Sequence, residues 1–151
     1  MTETKRSAHC VWAGDLVGGE GTLTVGSGAL TEQPVTWASR VEKPDGRTSP
    51  EELLAAAQAA CFAMALSLVL GQRSAQAEQL VVEATCTLEL QGAPRITAMD
   101  IDVRGVIPDL DGESFQHAVA AAAQLCPVAN ALRRSVRINV TAHWRKTPIH
   151  A

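Results

Sequence analysis

The stretch that decides the fold runs from Ser49 to Leu70 and reads SPEELLAAAQAACFAMALSLVL. Ser49 suits a helix N-cap, Pro50 suits the first helical position, and Glu52 completes a capping box three residues after the cap. From Leu53 onward almost every residue is apolar, and most are strong helix formers. A helix that is apolar all round is buried, so the sequence predicts a long buried central helix over residues 49–71.

The remaining composition excludes several classes of protein. A chain of 151 residues is long enough for one domain with a core of its own. The net charge of −3 gives no basic footprint for nucleic acid. The 18 residues from Leu53 to Leu70, apolar except for Gln58 and Ser67, reach the length of a membrane span. They are rich in alanine and follow two carboxylates, so we expect a core helix and no membrane contact.

No apolar run follows the polar N-terminal residues, so no signal peptide is predicted. We therefore expect a cytoplasmic protein in a reducing environment. The four cysteines are then not expected to form permanent structural disulfides.

Short strands are predicted on both sides of the central helix. Residues 1–48 contain three candidates, Ala8–Ala13, Thr22–Val25 and Val35–Val41, separated by glycine-rich loops. We interpret this segment as a β-meander. Leu80–Leu90 alternates strictly between apolar and polar residues, which predicts a half-buried strand, and Thr97–Val103 forms the returning strand of a hairpin.

Two helices and a last strand complete residues 79–151. The first helix is predicted from Asp111 or Gly112 to Leu125, the second from Pro127 to about Arg134, and the strand over Val136–Trp144. The element order predicts one α+β domain with antiparallel sheets packed on the central helix. One copy of these elements can hardly cover that helix, so we predict an intertwined homodimer.

The cysteines are the strongest candidates for chemistry. The chain has no CxxC motif, no histidine pair at metal-ligand spacing and no phosphate-binding loop between a strand and a helix. Cys10 and Cys86 fall on predicted strands and are read as small buried apolar residues. Cys61 lies inside the apolar helix, where a thiol is inert unless a cation is close. Cys126 precedes Pro127 as a candidate N-cap, where a helix N-terminus favours a thiolate.

Two separated motifs resemble the OsmC/Ohr family of osmotically inducible and organic hydroperoxide resistance proteins. They are PEELLAAAQAACFAMALS at 50–67 and CPVANAL at 126–132, and the segment GDLVGGEGTLTVGSGALTEQPVTWASR at 14–40 is similar to the OsmC branch. CPV in place of CPY also points to that branch. Two positions depart from it, because Gln58 stands where histidine is frequent and Ala129 where serine is common.

The resemblance implies roles for four residues. Cys61 matches the peroxidatic cysteine, Cys126 the resolving cysteine, Glu51 the first glutamate of the PEEL motif and Arg40 the family arginine. By this resemblance Arg40 favours the Cys61 thiolate and polarises the peroxide, and Glu51 holds the guanidinium.

The resemblance also implies the reaction. A thiol-dependent peroxidase of this kind reduces organic hydroperoxides, and hydrogen peroxide less well, through a Cys61 sulfenic acid and a Cys61–Cys126 disulfide. An external dithiol, of the lipoyl or the thioredoxin type, resets the pair. No metal, flavin or haem is implied, and the activity belongs to oxidative or osmotic stress defence.

This assignment meets a geometric difficulty. Glu51 and Cys61 are ten residues apart, which is about 15 Å along a straight helix. One arginine does not easily touch both. We therefore expect a break or bend in the helix between Ala55 and Ala60, or contacts completed by a second chain.

Two other functions stay open at this stage. A module of the same fold that has lost turnover would bind a small ligand and consume no peroxide. A structural dimer whose cysteines only pack the core would show slow, unselective alkylation of Cys61. The joint presence of the four matched residues favours the peroxidase.

Overall fold

The computed structural model describes residues 2–148, and the chain divides into two compact units at Leu53. The N-terminal unit holds β1 (Ala8–Ala13), β2 (Glu20–Val25) and β3 (Gln33–Val35), which pair antiparallel in that order. The predicted β-meander of residues 1–48 therefore forms, with a third strand much shorter than expected.

A short helix, α1 (Trp37–Val41), replaces most of the predicted strand Val35–Val41, so that prediction is wrong. Thr36 and Ser39 form a capping box: the Thr36 side chain accepts the Ser39 N–H, and the Ser39 hydroxyl accepts the Thr36 N–H, both at 3.0 Å. This pair of caps overrides the strand propensity of the residues around Trp37. Arg40 thus lies in the last turn of a helix.

The central helix, α2 (Pro50–Gln72), begins where the sequence predicts. The Ser49 hydroxyl accepts the backbone N–H of Glu52 at 3.1 Å, as an N-cap does. The expected break between Ala55 and Ala60 is wrong, because α2 is continuous over its 23 residues. Neither glycine nor proline interrupts the segment, and alanine is the strongest helix former.

The C-terminal unit, from Leu54 onward, contains a second sheet of β4 (Gln79–Glu89), β5 (Arg95–Val106) and β6 (Arg137–Arg145). The predicted hairpin is confirmed, since β4 and β5 are antiparallel, and β4 alternates between exposed and half-buried residues. The antiparallel prediction is wrong for the last strand, because β6 runs parallel to β5.

The parallel pairing follows from the connection between those strands. The helices α3 (Gly112–Leu125) and α4 (Pro127–Leu132) carry the chain back along the sheet, as a parallel crossover requires. Asp111 caps α3 by accepting the Ser114 N–H at 2.7 Å, and this hydrogen bond lowers the pKa of the Asp111 carboxyl.

One face of α2 supplies the core of the C-terminal unit. Phe62 and Leu66 are fully buried, together with residues of β5 and α3. The opposite face carries Met64, which is 74% exposed, and Leu68, which is 57% exposed. By length and composition alone α2 could also cross a membrane, but the core helices of soluble proteins meet the same two criteria. The expected full burial of the helix is therefore absent in the single chain.

Candidate active site

Two thiols lie side by side in the core of the C-terminal unit. Cys61 is on α2 and is partly exposed, whereas Cys126 joins α3 to α4 and is fully buried. The Cys61 thiol interacts with the Cys126 thiol and with the backbone N–H of Val128. The structure therefore brings together the two cysteines that the sequence analysis pairs.

Local sequence explains the position of Cys126. Its backbone N–H donates to Ala122 at 2.9 Å and ends α3, and Pro127 begins α4 immediately afterwards. A residue before proline is pushed to extended backbone angles, and Cys126 has φ −64° and ψ 113°. Its side chain makes no capping hydrogen bond to α4, so the predicted N-cap exists without a sulfur cap.

The environment of Cys61 disfavours its thiolate in the single chain. Burial raises the pKa of the Cys61 thiol, and the neighbouring Cys126 raises it further. The Val128 N–H opposes these effects because it donates toward the sulfur and lowers the pKa in part. A reactive Cys61 needs a further source of positive charge.

Gln58 adds a third group to the thiol pair. It lies one helical turn before Cys61 and is fully buried, and its Nε2 donates to the Cys126 sulfur at 3.3 Å. The other amide atom, Oε1, is buried and has no hydrogen-bond partner among residues 2–148. In the sequence Gln58 is only a departure from the family pattern, and no role is predicted for it. The sequence does contain a signal for a role of Gln58, because it is one of only two polar residues in the apolar run from Leu53 to Leu70.

Arg40 and Glu51 meet in the N-terminal unit. Arg40 donates through Nη2 at 2.8 Å and through Nε at 3.0 Å to Glu51 Oε1, and Nε also lies 3.2 Å from Oε2. Glu51 is 7% exposed, and the guanidinium lies 5.9 Å from the ring centre of Trp37. The carboxylate thus fixes a cation at the start of α2.

An apolar pocket of about 280 Å³ opens beside this ion pair, within the N-terminal unit. Its lining is aromatic and aliphatic except for Arg40, Thr36 and Cys10, and includes Trp12, Leu16, Leu23, Trp37 and Leu53. Apolar walls with one charged group are typical of small-molecule sites.

Each unit holds one half of the predicted site. Arg40 and Glu51 lie in the N-terminal unit, and Cys61 and Cys126 lie in the C-terminal unit. The expected break in α2 is absent, so the remaining expectation is that a second chain completes the site. Among residues 2–148, no group of three or more His, Cys, Asp or Glu side chains could hold a metal ion.

Comparison with known proteins decides the family. The sequence profile described as OsmC-like protein matches residues 43–141, about two thirds of the chain, and this segment contains Glu51, Cys61 and Cys126. The chain belongs to the OsmC family. The resemblance found in the sequence is therefore confirmed.

Individual relatives agree with this assignment. The chain is 35% identical over 136 residues to peroxiredoxin OsmC of Escherichia coli K12, covering 89% of this chain and 93% of that protein. It is 32% identical over 97 residues to an organic hydroperoxide resistance protein-like 2 of Staphylococcus epidermidis, covering 63% and 68% of the two chains.

Solved structures share the fold of this OsmC-family chain. The organic hydroperoxide resistance protein OhrB of Bacillus subtilis superposes with a TM-score of 0.73 at 26% identity, covering 91% of this chain and 98% of the other. The OsmC-like protein of Mycoplasma pneumoniae, at 14% identity and a TM-score of 0.74, matches in fold alone.

Proposed function

We propose that this chain is a cysteine-based peroxidase that reduces organic hydroperoxides to alcohols. The observation that carries the proposal is the adjacency of the partly exposed Cys61 thiol and the buried Cys126 thiol. Relatives named peroxiredoxin and organic hydroperoxide resistance protein support this reaction class.

The first step uses Cys61. Its thiolate attacks the outer oxygen of the hydroperoxide, the O–O bond breaks, and the alkoxide takes a proton and leaves as alcohol. Cys61 is oxidised to the sulfenic acid, and the peroxide is reduced. Partial exposure lets substrate reach Cys61, whereas the buried Cys126 is shielded from the peroxide.

The second and third steps restore the enzyme. Cys126 attacks the sulfenic sulfur to form a Cys61–Cys126 disulfide with release of water. An external dithiol, of the lipoyl or thioredoxin type, then reduces this disulfide by exchange and is itself oxidised. Such reductants belong to a reducing compartment, which is why we assign the protein to the cytoplasm. The cycle uses no metal, flavin or haem.

A homodimer supplies the missing charge in this proposal. The exposed apolar face of α2, with Met64 and Leu68, is the surface that a second copy covers. Arg40 and Glu51 of one chain then complete the site around Cys61 of the other. The guanidinium stabilises the Cys61 thiolate against its burial and polarises the peroxide.

A ligand-binding module without turnover is the second candidate. The raised pKa of Cys61 favours it, because a buried thiol with no cation is inert. The apolar pocket beside Arg40 would then be the functional site.

A turnover assay separates the two candidates. The reduced protein is mixed with cumene hydroperoxide and a dithiol, and hydroperoxide loss is followed against Cys61→Ser. Consumption that depends on Cys61 supports the peroxidase. Equal, background consumption by both proteins, together with saturable binding of an apolar probe, supports the binding module.

A further inference from the structure

The Gln58 carboxamide is the least explained group of the site. It is fully buried beside two thiols, donates to Cys126 through Nε2, and keeps Oε1 without a partner among the described residues. A buried acceptor without a donor is unfavourable and rare in folded proteins. A helix interior filled by alanine and leucine has no structural need for such a group at this position.

The position of Gln58 on α2 suggests what the acceptor is for. Residues three apart on a helix are neighbours on one face, so Gln58 and Cys61 both approach Cys126 from α2. In the proposed cycle Cys61 becomes a sulfenic acid, which carries an O–H donor that the thiolate lacks. The O–H donor of the sulfenic acid thus forms next to Gln58, whose Oε1 has no hydrogen-bond partner among the described residues.

We propose that Gln58 is a positioning residue for disulfide formation: its N–H holds the Cys126 sulfur, and its carbonyl oxygen accepts the O–H of the Cys61 sulfenic acid. The carboxamide thereby bridges the two reacting groups. This inference rests on the proposed peroxidase function and adds a residue to it.

The chemistry of the step balances without another reactant. The Cys126 thiol gives up its proton, and its sulfur forms a bond to the Cys61 sulfur while the S–O bond of the sulfenic acid breaks. The departing hydroxide combines with the proton to form water. The Gln58 N–H that donates to the Cys126 sulfur stabilises the negative charge that develops there during the attack.

The test is Gln58→Met, which places an unbranched apolar side chain in the core and removes both the N–H donor and the C=O acceptor of the carboxamide. With one equivalent of cumene hydroperoxide, we expect disulfide formation to slow about three- to tenfold at neutral pH. In a Cys126→Ser background, oxidation of Cys61 should keep its rate with or without Gln58→Met.

Two further variants separate positioning from packing. Gln116→Met makes the same chemical change at an exposed glutamine whose Nε2 donates to the Ala142 carbonyl, and it should leave disulfide formation unchanged. Gln58→His restores a donor at this site and should recover part of the rate. A purely structural role predicts no recovery of the rate with histidine, and this result would overturn the inference.

Diamide distinguishes failure of this inference from failure of the proposed function. It oxidises thiol pairs without a hydroperoxide. Wild type that forms the disulfide with diamide but not with hydroperoxide contradicts the peroxidase, and slower diamide oxidation in Gln58→Met still supports the N–H contact. Equal rates for wild type and Gln58→Met with both oxidants overturn the role of Gln58 and leave the peroxidase intact.

Discussion

Arg40 donates two hydrogen bonds to a single oxygen of Glu51, from Nη2 at 2.8 Å and from Nε at 3.0 Å. The Glu51 side chain is 9% exposed and the Arg40 side chain 32% exposed, so the carboxylate is the more deeply buried partner. Charge-assisted hydrogen bonds of this kind fix a guanidinium in direction as well as in place. The pair therefore holds an oriented cation in the N-terminal unit, and in the proposed dimer this cation lowers the raised pKa of the Cys61 thiol.

Glu51→Gln tests that orientation. The neutral amide accepts more weakly and leaves the guanidinium less constrained, so oxidation of Cys61 by cumene hydroperoxide should slow about tenfold. Unfolding in urea should show a loss of about 1–2 kcal/mol. Glu52→Gln is the matched control, because it makes the same change at the exposed neighbouring residue. Equal effects of the two substitutions would contradict a specific role for the ion pair.

The exposed face of α2 gives a prediction about assembly. Wild type should sediment as a dimer, and Met64→Glu combined with Leu68→Glu should give a monomer, because charges cannot be buried unpaired in an apolar interface. Leu90→Glu is a suitable control, since Leu90 is an exposed leucine outside the helices. A dimer that survives both charges would place the interface elsewhere. The monomer should also lose oxidation of Cys61, if the second copy supplies Arg40.

The raised pKa of Cys61 predicts a pH dependence of stability. In the single chain, and so in the monomeric double variant Met64→Glu, Leu68→Glu, the folded state disfavours the thiolate, and the unfolded chain releases this proton at lower pH than the folded chain. The contribution to stability is complete below the ordinary thiol value near 9.0 and is lost as pH rises through the folded pKa. Chemical unfolding across the alkaline range should therefore show a steeper fall in stability for this monomeric double variant than for the same variant with Cys61→Ala added. Parallel curves would contradict the burial argument.

The buried acceptor of Gln58 gives a prediction about stability alone. Gln58→Met removes an unpartnered Oε1, whose burial costs about 1–3 kcal/mol, and forfeits one hydrogen bond to sulfur. The melting temperature should stay level or rise by about 2–4 °C. Calorimetry on the reduced protein measures this. A clear fall in melting temperature would mean that the amide is mainly a packing element.

Local sequence patterns were sufficient to predict many of the helices and strands. The apolar run after Ser49 predicts α2, the alternation from Leu80 predicts β4, and Pro127 marks the start of α4. Each of these signals is local, because caps, periodicity and proline act within a few residues. Local signals could not show that Cys61 and Cys126 lie together. That prediction came only from the family resemblance.

Predictions of secondary structure and strand direction were wrong where two local sequence signals compete or where strand pairing is long-range. At Trp37 a capping box made of Thr36 and Ser39 outweighs strand propensity, and the two effects are similar in size. The parallel pairing of β5 with β6 depends on the path of the crossover, which residue alternation does not encode. The predicted bend in α2 was inferred from a supposed function, and the alanine-rich sequence offered no local cause for one.

The role of the resolving thiol has its own test. In Cys126→Ser, the Cys61 sulfenic acid should persist and react with dimedone, and dithiol-dependent turnover should fall at least tenfold, because only a slower external thiol attack remains. Cys86→Ala removes a thiol from β4 and should keep turnover. Unchanged turnover in Cys126→Ser would mean that the external dithiol, and not Cys126, attacks the Cys61 sulfenic acid.

Mapping the disulfide tests the central claim most directly. Reduced protein receives one equivalent of cumene hydroperoxide, is alkylated under denaturing conditions and is analysed by peptide mass spectrometry, with Cys61→Ser and Cys126→Ser in parallel. The account predicts a rapid Cys61–Cys126 disulfide in wild type and its absence in both variants. A folded wild-type protein in which Cys61 remains a free thiol would contradict the peroxidase, and the ligand-binding module would become the better description.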